Sequence, residues 1–433
     1  MYDDNELLNA EMAAISVVKS AELVDLVSDT NQLNKLQNSL DQSKDRVLDV
    51  QKILNSTEPA DVTLPLADYV DRTLSRVGVL EVDGDAVKGV ECLGLSLKPA
   101  DYLKSRVNGC EGFLDSFVDD SAFIIKALAS SIKDAFVILT ETQTSLLSRL
   151  DDLQQDLAGA GKFPKGTEDL VLGVRLFNIL QTGGKVENFI GQLEKVMKTI
   201  NGLSTNYYIN SKNNLNVIMS YFGGFDGIEE YQAKERFLML PKSINSTRFK
   251  ECNIPNRDYR IGNISVMNSV ELMGGRFFID SRLKQPNLNP KNVDDVGVYL
   301  EAHIENDRTY FNPRPAREYP DSNSYIKSLG SDEIKSIIKV LRDILKTWSV
   351  VYAEGDKHKM SSKEFTDIGD AILANDWEDK KFKHAVIAAL GILVRTNQQE
   401  LLEIRSNINT YLVYLVNGMV ELCYMSLRAN SQQ

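Results

Sequence analysis

The chain has 433 residues, of which 43% are hydrophobic and 25% charged, a composition typical of globular proteins with more than one hydrophobic core. Its formal net charge of -12 argues against a protein whose main task is to bind phosphate backbones, because that task requires clustered Lys and Arg side chains. The first residues are acidic where a secretion signal would be basic, and no stretch approaches about 18 apolar residues without a charge, so we expect a soluble protein made in a cytoplasm.

The cysteines indicate neither a metal site nor a disulfide framework. Cys92, Cys110, Cys252 and Cys423 are scattered, with no Cys-x-x-Cys pair and no histidine at metal-ligand spacing. We therefore predict reduced, structural cysteines, no bound metal and no cofactor.

The prolines divide the chain. Seven of the eleven lie between Pro241 and Pro320, and proline both removes a helical donor and clashes with the preceding turn. This distribution predicts a mainly α fold: an elongated bundle of long, coiled-coil-like helices, a small β-containing insertion and a C-terminal helical bundle. The predicted segments are a helical arm (1–58), a mixed connecting region (59–112), a long-helix bundle (113–236), a Pro-rich β-containing region (237–325) and a C-terminal helical bundle (326–433).

The arm and the long helix each carry a narrow apolar seam. In the arm, the seam follows heptad spacing at Leu33, Leu36, Leu40, Val47, Val50 and Leu54. Residues 113–158 lack Gly and Pro, and their seam consists of Leu128, Ile132, Ala135, Leu139, Thr142, Leu146, Leu150, Leu153 and Leu157. A seam this narrow normally meets one other helix. The arm therefore pairs with the long helix or with the same arm of a second copy, and we favour the long helix because consecutive elements tend to lie side by side.

The sequence AGAGKF at 158–163 suggests a phosphate-binding loop, but it lacks two required features. A Walker loop needs a glycine where Asp156 lies and a Ser or Thr where Phe163 lies. We therefore interpret this stretch as a flexible connection between helices.

Between residues 237 and 305 the apolar period changes and predicts β-structure. RFLMLP (236–241) and VYLEAHIE (298–305) are typical of strands, and SVELMGGRFFID (269–280) predicts a hairpin closed on Gly274 and Gly275. On such a strand Glu301, His303 and Glu305 would project from one face. They could then ligate a divalent metal, but we favour a solvent-exposed polar face opposite a buried apolar one.

The C-terminal segment predicts three main helices. Ser331 caps the first, and two further helices are expected near 379–396 and 397–428. Between the first of these helices and the other two, residues Lys359 to Lys363 spell KMSSK, which is similar to the ATP-binding loop of class I aminoacyl-tRNA synthetases. The His-x-Gly-His partner of that loop is absent from the chain, so we interpret KMSSK as a charged connection and assign no catalytic residue.

A helical front half and a helical tail flank a Pro-rich middle that opens with LMLP, from Leu238 to Pro241. This layout resembles the internal head proteins, or virion structural proteins, of large tailed bacteriophages. The resemblance implies a non-enzymatic protein of the capsid interior, made in the host cytoplasm. It would contact other virion proteins or copies of itself, without a membrane, a small-molecule substrate or sequence-specific nucleic acid as partner. Processing after Glu22, where Ser20-Ala21-Glu22 fits a prohead-protease pattern, and ejection with the genome stay open.

The rival interpretation is a helical component of a pore-forming toxin. Its membrane element would be the hairpin at 269–280, surrounded by long helices. Glu271 and Arg276 within that hairpin and the missing secretion signal argue against this interpretation.

Overall fold

The computed structural model describes residues 4–77, 98–166, 168–243, 249–250, 252, 254–255, 264–283, 290–312, 324–356 and 362–431. Within these ranges the helices are α1 (Asp4–Ser56), α2 (Leu64–Arg76), α3 (Pro99–Ala160), α4 (Val174–Leu180), α5 (Phe189–Gly202), α6 (Ile209–Gly223), α7 (Glu230–Leu238), α8 (Leu240–Ser243), α9 (Val293–Asn306), α10 (Ser331–Asp356), α11 (Ser362–Ala374) and α12 (Lys380–Ser431). The strands are β1 (Asp169–Leu172), β2 (Ile254–Pro255), β3 (Ile264–Asn268), β4 (Phe278–Leu283), β5 (Arg308–Phe311) and β6 (Ser324–Lys327). The predicted mainly α fold is confirmed.

Three very long helices form the frame of the bundle. Helices α1, α3 and α12 contain 53, 62 and 52 residues. Helix α3 begins with Pro99, which suits the first helical turn because its missing donor is not needed there. It ends before Gly161, whose φ of 77° a residue with a side chain rarely adopts. At 1.5 Å per residue α3 is about 90 Å long, which makes the bundle elongated.

Helices α1 and α3 run antiparallel along each other. Leu54 packs in one cluster with Tyr102, the Lys44 ammonium lies 5.3 Å from the centre of the Phe117 ring, and Leu26 packs against the cluster that contains Leu139. The arm therefore pairs with the long helix of its own chain, as we expected. The seam of α3 is also buried, with exposed fractions of 2% or less at Leu128, Ala135, Leu139, Thr142, Leu146, Leu150, Leu153 and Leu157.

Within the described residues the β-structure consists of two small antiparallel sheets. Strands β2, β3, β4 and β5 form one sheet in that order, and β1 pairs with β6 in the other. The predicted hairpin is present, because β3 pairs with β4 and the connection turns through Gly274 and Gly275, with φ of 75° and 68°. Its first strand lies at 264–268, upstream of the predicted position.

Two predicted strands are wrong, because both segments are helical. Residues 236–241 lie in α7 and α8, and residues 298–305 lie in α9. In α9 the buried residues Val296, Leu300 and His303 follow each other at intervals of four and three, which is the spacing of one helix face rather than of a strand. The side chain of Asn292 accepts a hydrogen bond from the Asp295 backbone N–H at 2.8 Å and caps this helix.

The C-terminal segment also differs from its prediction at one point. The two helices expected near 379–396 and 397–428 are the single helix α12, which has no proline or glycine near residue 397 to end it. Asn397 lies on its buried side and donates a hydrogen bond to Ser211 at 3.1 Å. The C-terminal half of α3, α10 and α12 together enclose the largest hydrophobic cluster.

Candidate functional site

The AGAGKF stretch forms the end of α3 and the start of a connection, which leads to the strand β1 rather than directly to a helix. Its first three residues complete α3, and Gly161 ends the helix. The Lys162 side chain is 80% exposed, and its ammonium lies 4.0 Å from the Asp332 carboxylate at the start of α10. Lys162 therefore points to the protein surface at the junction of two helices.

Residues 301–305 are helical, so the strand on which these residues would share a face is absent, and the expectation that His303 lies on a solvent-exposed face is wrong. His303 is buried, its Nδ1 lies 2.9 Å from Asp307 Oδ2, and its ring stacks on Tyr299 with ring centres 5.7 Å apart. Burial alone would raise the pKa of Asp307, but hydrogen bonds from His303 and from the Leu283 N–H hold that pKa below its ordinary value. Asp307 thus joins the end of α9 to β4, and His303 holds Asp307 in place as a core residue. Across the described ranges no cluster of three or more His, Cys, Asp or Glu side chains could hold a metal ion.

The KMSSK stretch lies mostly outside the described residues. Helix α11 begins at Ser362, and Lys363 is exposed in its first turn. The prediction that this stretch is a charged connection stays untested.

The structure brings together a polar cluster that the sequence analysis missed. Its members, which we call the Glu400 cluster, are Tyr207, Asp280, Arg282, Thr309 and Glu400. Glu400 Oε1 accepts hydrogen bonds from the Tyr207 hydroxyl and from the Thr309 backbone N–H, both at 2.6 Å. The Thr309 hydroxyl donates to Asp280 Oδ1 at 2.9 Å, and Arg282 pairs with Asp280 and donates to the Thr309 hydroxyl at 3.1 Å.

Local structure explains how these side chains meet. Asp280 and Arg282 are two residues apart on β4, so both point to one face of the sheet. Thr309 on β5 lies directly opposite Asp280 in the strand register. Tyr207 comes from a π-helix, Leu203–Tyr208, between α5 and α6. Such wide turns are rare and often accompany functional or strained sites.

The electrostatics of the cluster favour a proton on Glu400. Burial raises the pKa of Glu400 from 4.5 to about 7, against the opposing effects of the Tyr207 hydrogen bond and the Arg282 charge. Burial likewise raises the pKa of Tyr207 well above its ordinary value. A carboxyl group with a pKa near neutrality can act in acid–base chemistry when it reaches a substrate.

The position of the cluster indicates a structural role. Its residues belong to the π-helix, two strands and α12, so its hydrogen bonds join the small sheet to the frame of the bundle. None of its members lines the surface pocket that Ile179 and Tyr411 help to form, or the groove between Leu157 and Lys339. The alternation of Phe278, Asp280 and Arg282 was a usable signal, since a strand that buries Phe278 also buries the residues two and four positions later.

The length and apolarity of a helix decide whether it can cross a membrane. Of the helices described, none is both long and apolar enough to cross a lipid bilayer.

Comparison with known proteins identifies the family. No curated protein and no solved structure matches the chain significantly. The family model of the phiKZ-like phage internal head proteins matches residues 24–425, which is 402 of the 433 residues. The resemblance noted in the sequence is thereby confirmed, and the chain belongs to the phiKZ-like phage internal head proteins, structural proteins of the interior of the virion capsid.

Proposed function

We propose that the chain is a non-enzymatic building block of the head interior and that the N-terminal half of its arm is a contact surface for other virion proteins or for further copies. One observation carries the proposal. The arm seam is closed in its C-terminal half, where Val47, Val50 and Leu54 are at most 2% exposed. Toward the N-terminal end Leu33 and Leu40 are half-buried, and Leu36 between them is 60% exposed.

Contacts on either side of Leu36 along the chain fix this part of α1 against the rest of the bundle. Toward its C-terminal end, the Asp41 carboxylate lies 3.5 Å from the buried guanidinium of Arg395 on α12. Toward its N-terminal end, Leu26 packs against the largest hydrophobic cluster. The surface around Leu36 is therefore formed before any partner binds, which lowers the entropic cost of binding.

A second apolar side chain lies at the same level of the bundle. With Lys44 over Phe117 and the helices antiparallel, Leu36 is level with residues near 125, and Phe123 on α3 is 69% exposed. A partner helix with apolar residues at heptad spacing would cover such a seam by packing its side chains between those of the arm. Scattered exposed apolar residues are normal, but an unfinished seam favours a protein partner.

The test compares Leu36→Glu with Val298→Glu, since Val298 on α9 is 67% exposed and lies outside the seam. Each purified protein is sedimented alone and with disassembled virion proteins. Both variants should keep the wild-type melting temperature, because both side chains are exposed, and only Leu36→Glu should weaken association, by tenfold or more. Cross-links from Lys35, an exposed neighbour of Leu36, to other chains in intact virions should agree. Equal association of both variants, or loss in both, contradicts the proposal.

A further inference from the structure

A groove with an unusual charge lies between the end of α3 and α10. It encloses about 610 Å³, and its apolar lining includes Leu157 and Ile338. Its charged lining consists of five cations and one carboxylate: Lys162, Lys335, Lys339, Arg342, Lys346 and Asp343. Acidic residues outnumber basic ones by 61 to 49 in the whole chain, so the groove has the opposite sign to the molecule.

The cations of α10 form a row. Residues 335, 339, 342 and 346 repeat at intervals of four, three and four, which places them on one face of the helix, over about 17 Å. The three lysines in this row are exposed, and none of the described residues pairs with them. Arg342 by contrast is paired with Asp151. The groove thus offers three exposed lysines in a line, and Asp343 is the one acidic side chain in its lining.

We infer that this groove binds the phosphate backbone of duplex DNA without reading its sequence. Each strand of a duplex presents one phosphate per 3.4 Å or so of helix axis, so a row of about 17 Å can face about five phosphates. Lysine ammonium groups suit phosphates as point charges, and phosphate contacts carry no sequence information.

Other polyanions fit the groove less well. The lining contains no aromatic residue on which unpaired bases could stack, which disfavours a single strand. An acidic protein segment would gain most from two-point pairing between a carboxylate and arginine, but the one arginine already has its carboxylate. The inference is independent of the contact surface proposed around Leu36.

The experiment measures binding of a fluorescent 30-base-pair duplex by anisotropy, at NaCl concentrations from 50 to 300 mM. With about four phosphates neutralised, the logarithm of the binding constant should fall against the logarithm of salt with a slope of roughly -3.6. The triple variant Lys335→Gln/Lys339→Gln/Lys346→Gln should bind at least tenfold more weakly at 50 mM NaCl, with a slope smaller in magnitude by about 3.

The control variant is Lys126→Gln/Lys133→Gln/Lys198→Gln, which removes three exposed lysines outside the groove and gives the same net charge. It should bind as the wild type does, and so should Leu36→Glu, which separates this inference from the proposed function. Three results would overturn the inference: no binding at 50 mM NaCl, equal loss in both triple variants, or displacement of the duplex by poly-glutamate as efficiently as by unlabelled duplex.

Discussion

Replacing Glu400 by Gln should change how the stability of the protein depends on pH. The folded protein holds a proton on this carboxyl group up to about pH 7, because burial raises its pKa from 4.5 to about 7. A raised carboxyl pKa contributes stability that is fully present below pH 4.5 and is lost as the pH rises through 7. Gln keeps a side-chain oxygen as acceptor for Tyr207 and Thr309 but cannot ionise. The variant should therefore avoid this loss.

The size of the effect follows from the pKa shift. A shift of one pKa unit corresponds to about 1.4 kcal/mol, so the full shift would amount to about 3 kcal/mol. The Glu400 residue as a whole is only half-buried, although its carboxyl group is enclosed enough to shift its pKa strongly. Because solvent screens the charge of this partly exposed residue, we expect about 1 to 2 kcal/mol.

The assay is urea unfolding of the wild type and of Glu400→Gln at pH 5 and pH 8. The free energy of unfolding of the variant relative to the wild type should be about 1 to 2 kcal/mol higher at pH 8 than at pH 5. Glu403→Gln is the matched control, because Glu403 lies one turn further along α12 and accepts its hydrogen bond from Gln399. A carbon NMR titration of the Glu400 carboxyl group measures the pKa directly.

A stability difference that is the same at both pH values would refute the reasoning. It would mean that the carboxyl group is already ionised at pH 5 in the folded protein, with an ordinary or a lowered pKa.

Two further predictions concern buried charge. His384 is 5% exposed, and burial, with the nearby cation of Lys44 assisting, lowers its pKa to about 4. The stability that this lowered pKa contributes is fully present above pH 6.5 and is lost as the pH falls through 4. Phe cannot take up a proton. In urea unfolding, the free energy of unfolding of His384→Phe relative to the wild type should therefore be about 2 kcal/mol higher at pH 5 than at pH 8. Asp41→Ala leaves the buried Arg395 without this partner and should lower the unfolding free energy by about 3 kcal/mol, whereas Asp68→Ala at an exposed pair should cost less than about 1 kcal/mol in the same assay.

The long helices α1 and α3 could be predicted because their signal is local and repeated, whereas α12 was predicted as two helices. The seam of α3 continues through Leu139, Leu146 and Leu153 without a glycine or proline to end it, and all three are buried. The helix α9 was not predicted, because the segment 298–305 covers only eight of its residues. Within 298–305 the apolar residues alternate, but Val296 and the Asn292 cap, which establish the helical period, lie just outside that window.

The Glu400 cluster could be predicted only in part. The alternation on β4 indicates that Asp280 and Arg282 share a face with Phe278, and that is a local signal. The hydrogen bonds to Glu400 come from residues 193 and 91 positions away in the chain. No spacing along the sequence relates such residues, because the packing of α12 against the sheet and the π-helix decides which side chains meet.

The groove beside α10 shows what net charge can and cannot exclude. The repulsion between a total charge of -12 and a polyanion is largely screened at distances beyond the Debye length, about 8 Å at physiological salt. At shorter range the ligand meets the local row of lysines instead. The whole row is visible in the sequence as a helical repeat at 335, 339, 342 and 346, but it forms only one wall of the groove. The opposite wall is the end of α3, more than 170 residues earlier. A negative net charge therefore argues against a protein whose main surface binds DNA, but it is compatible with a single basic groove that does so.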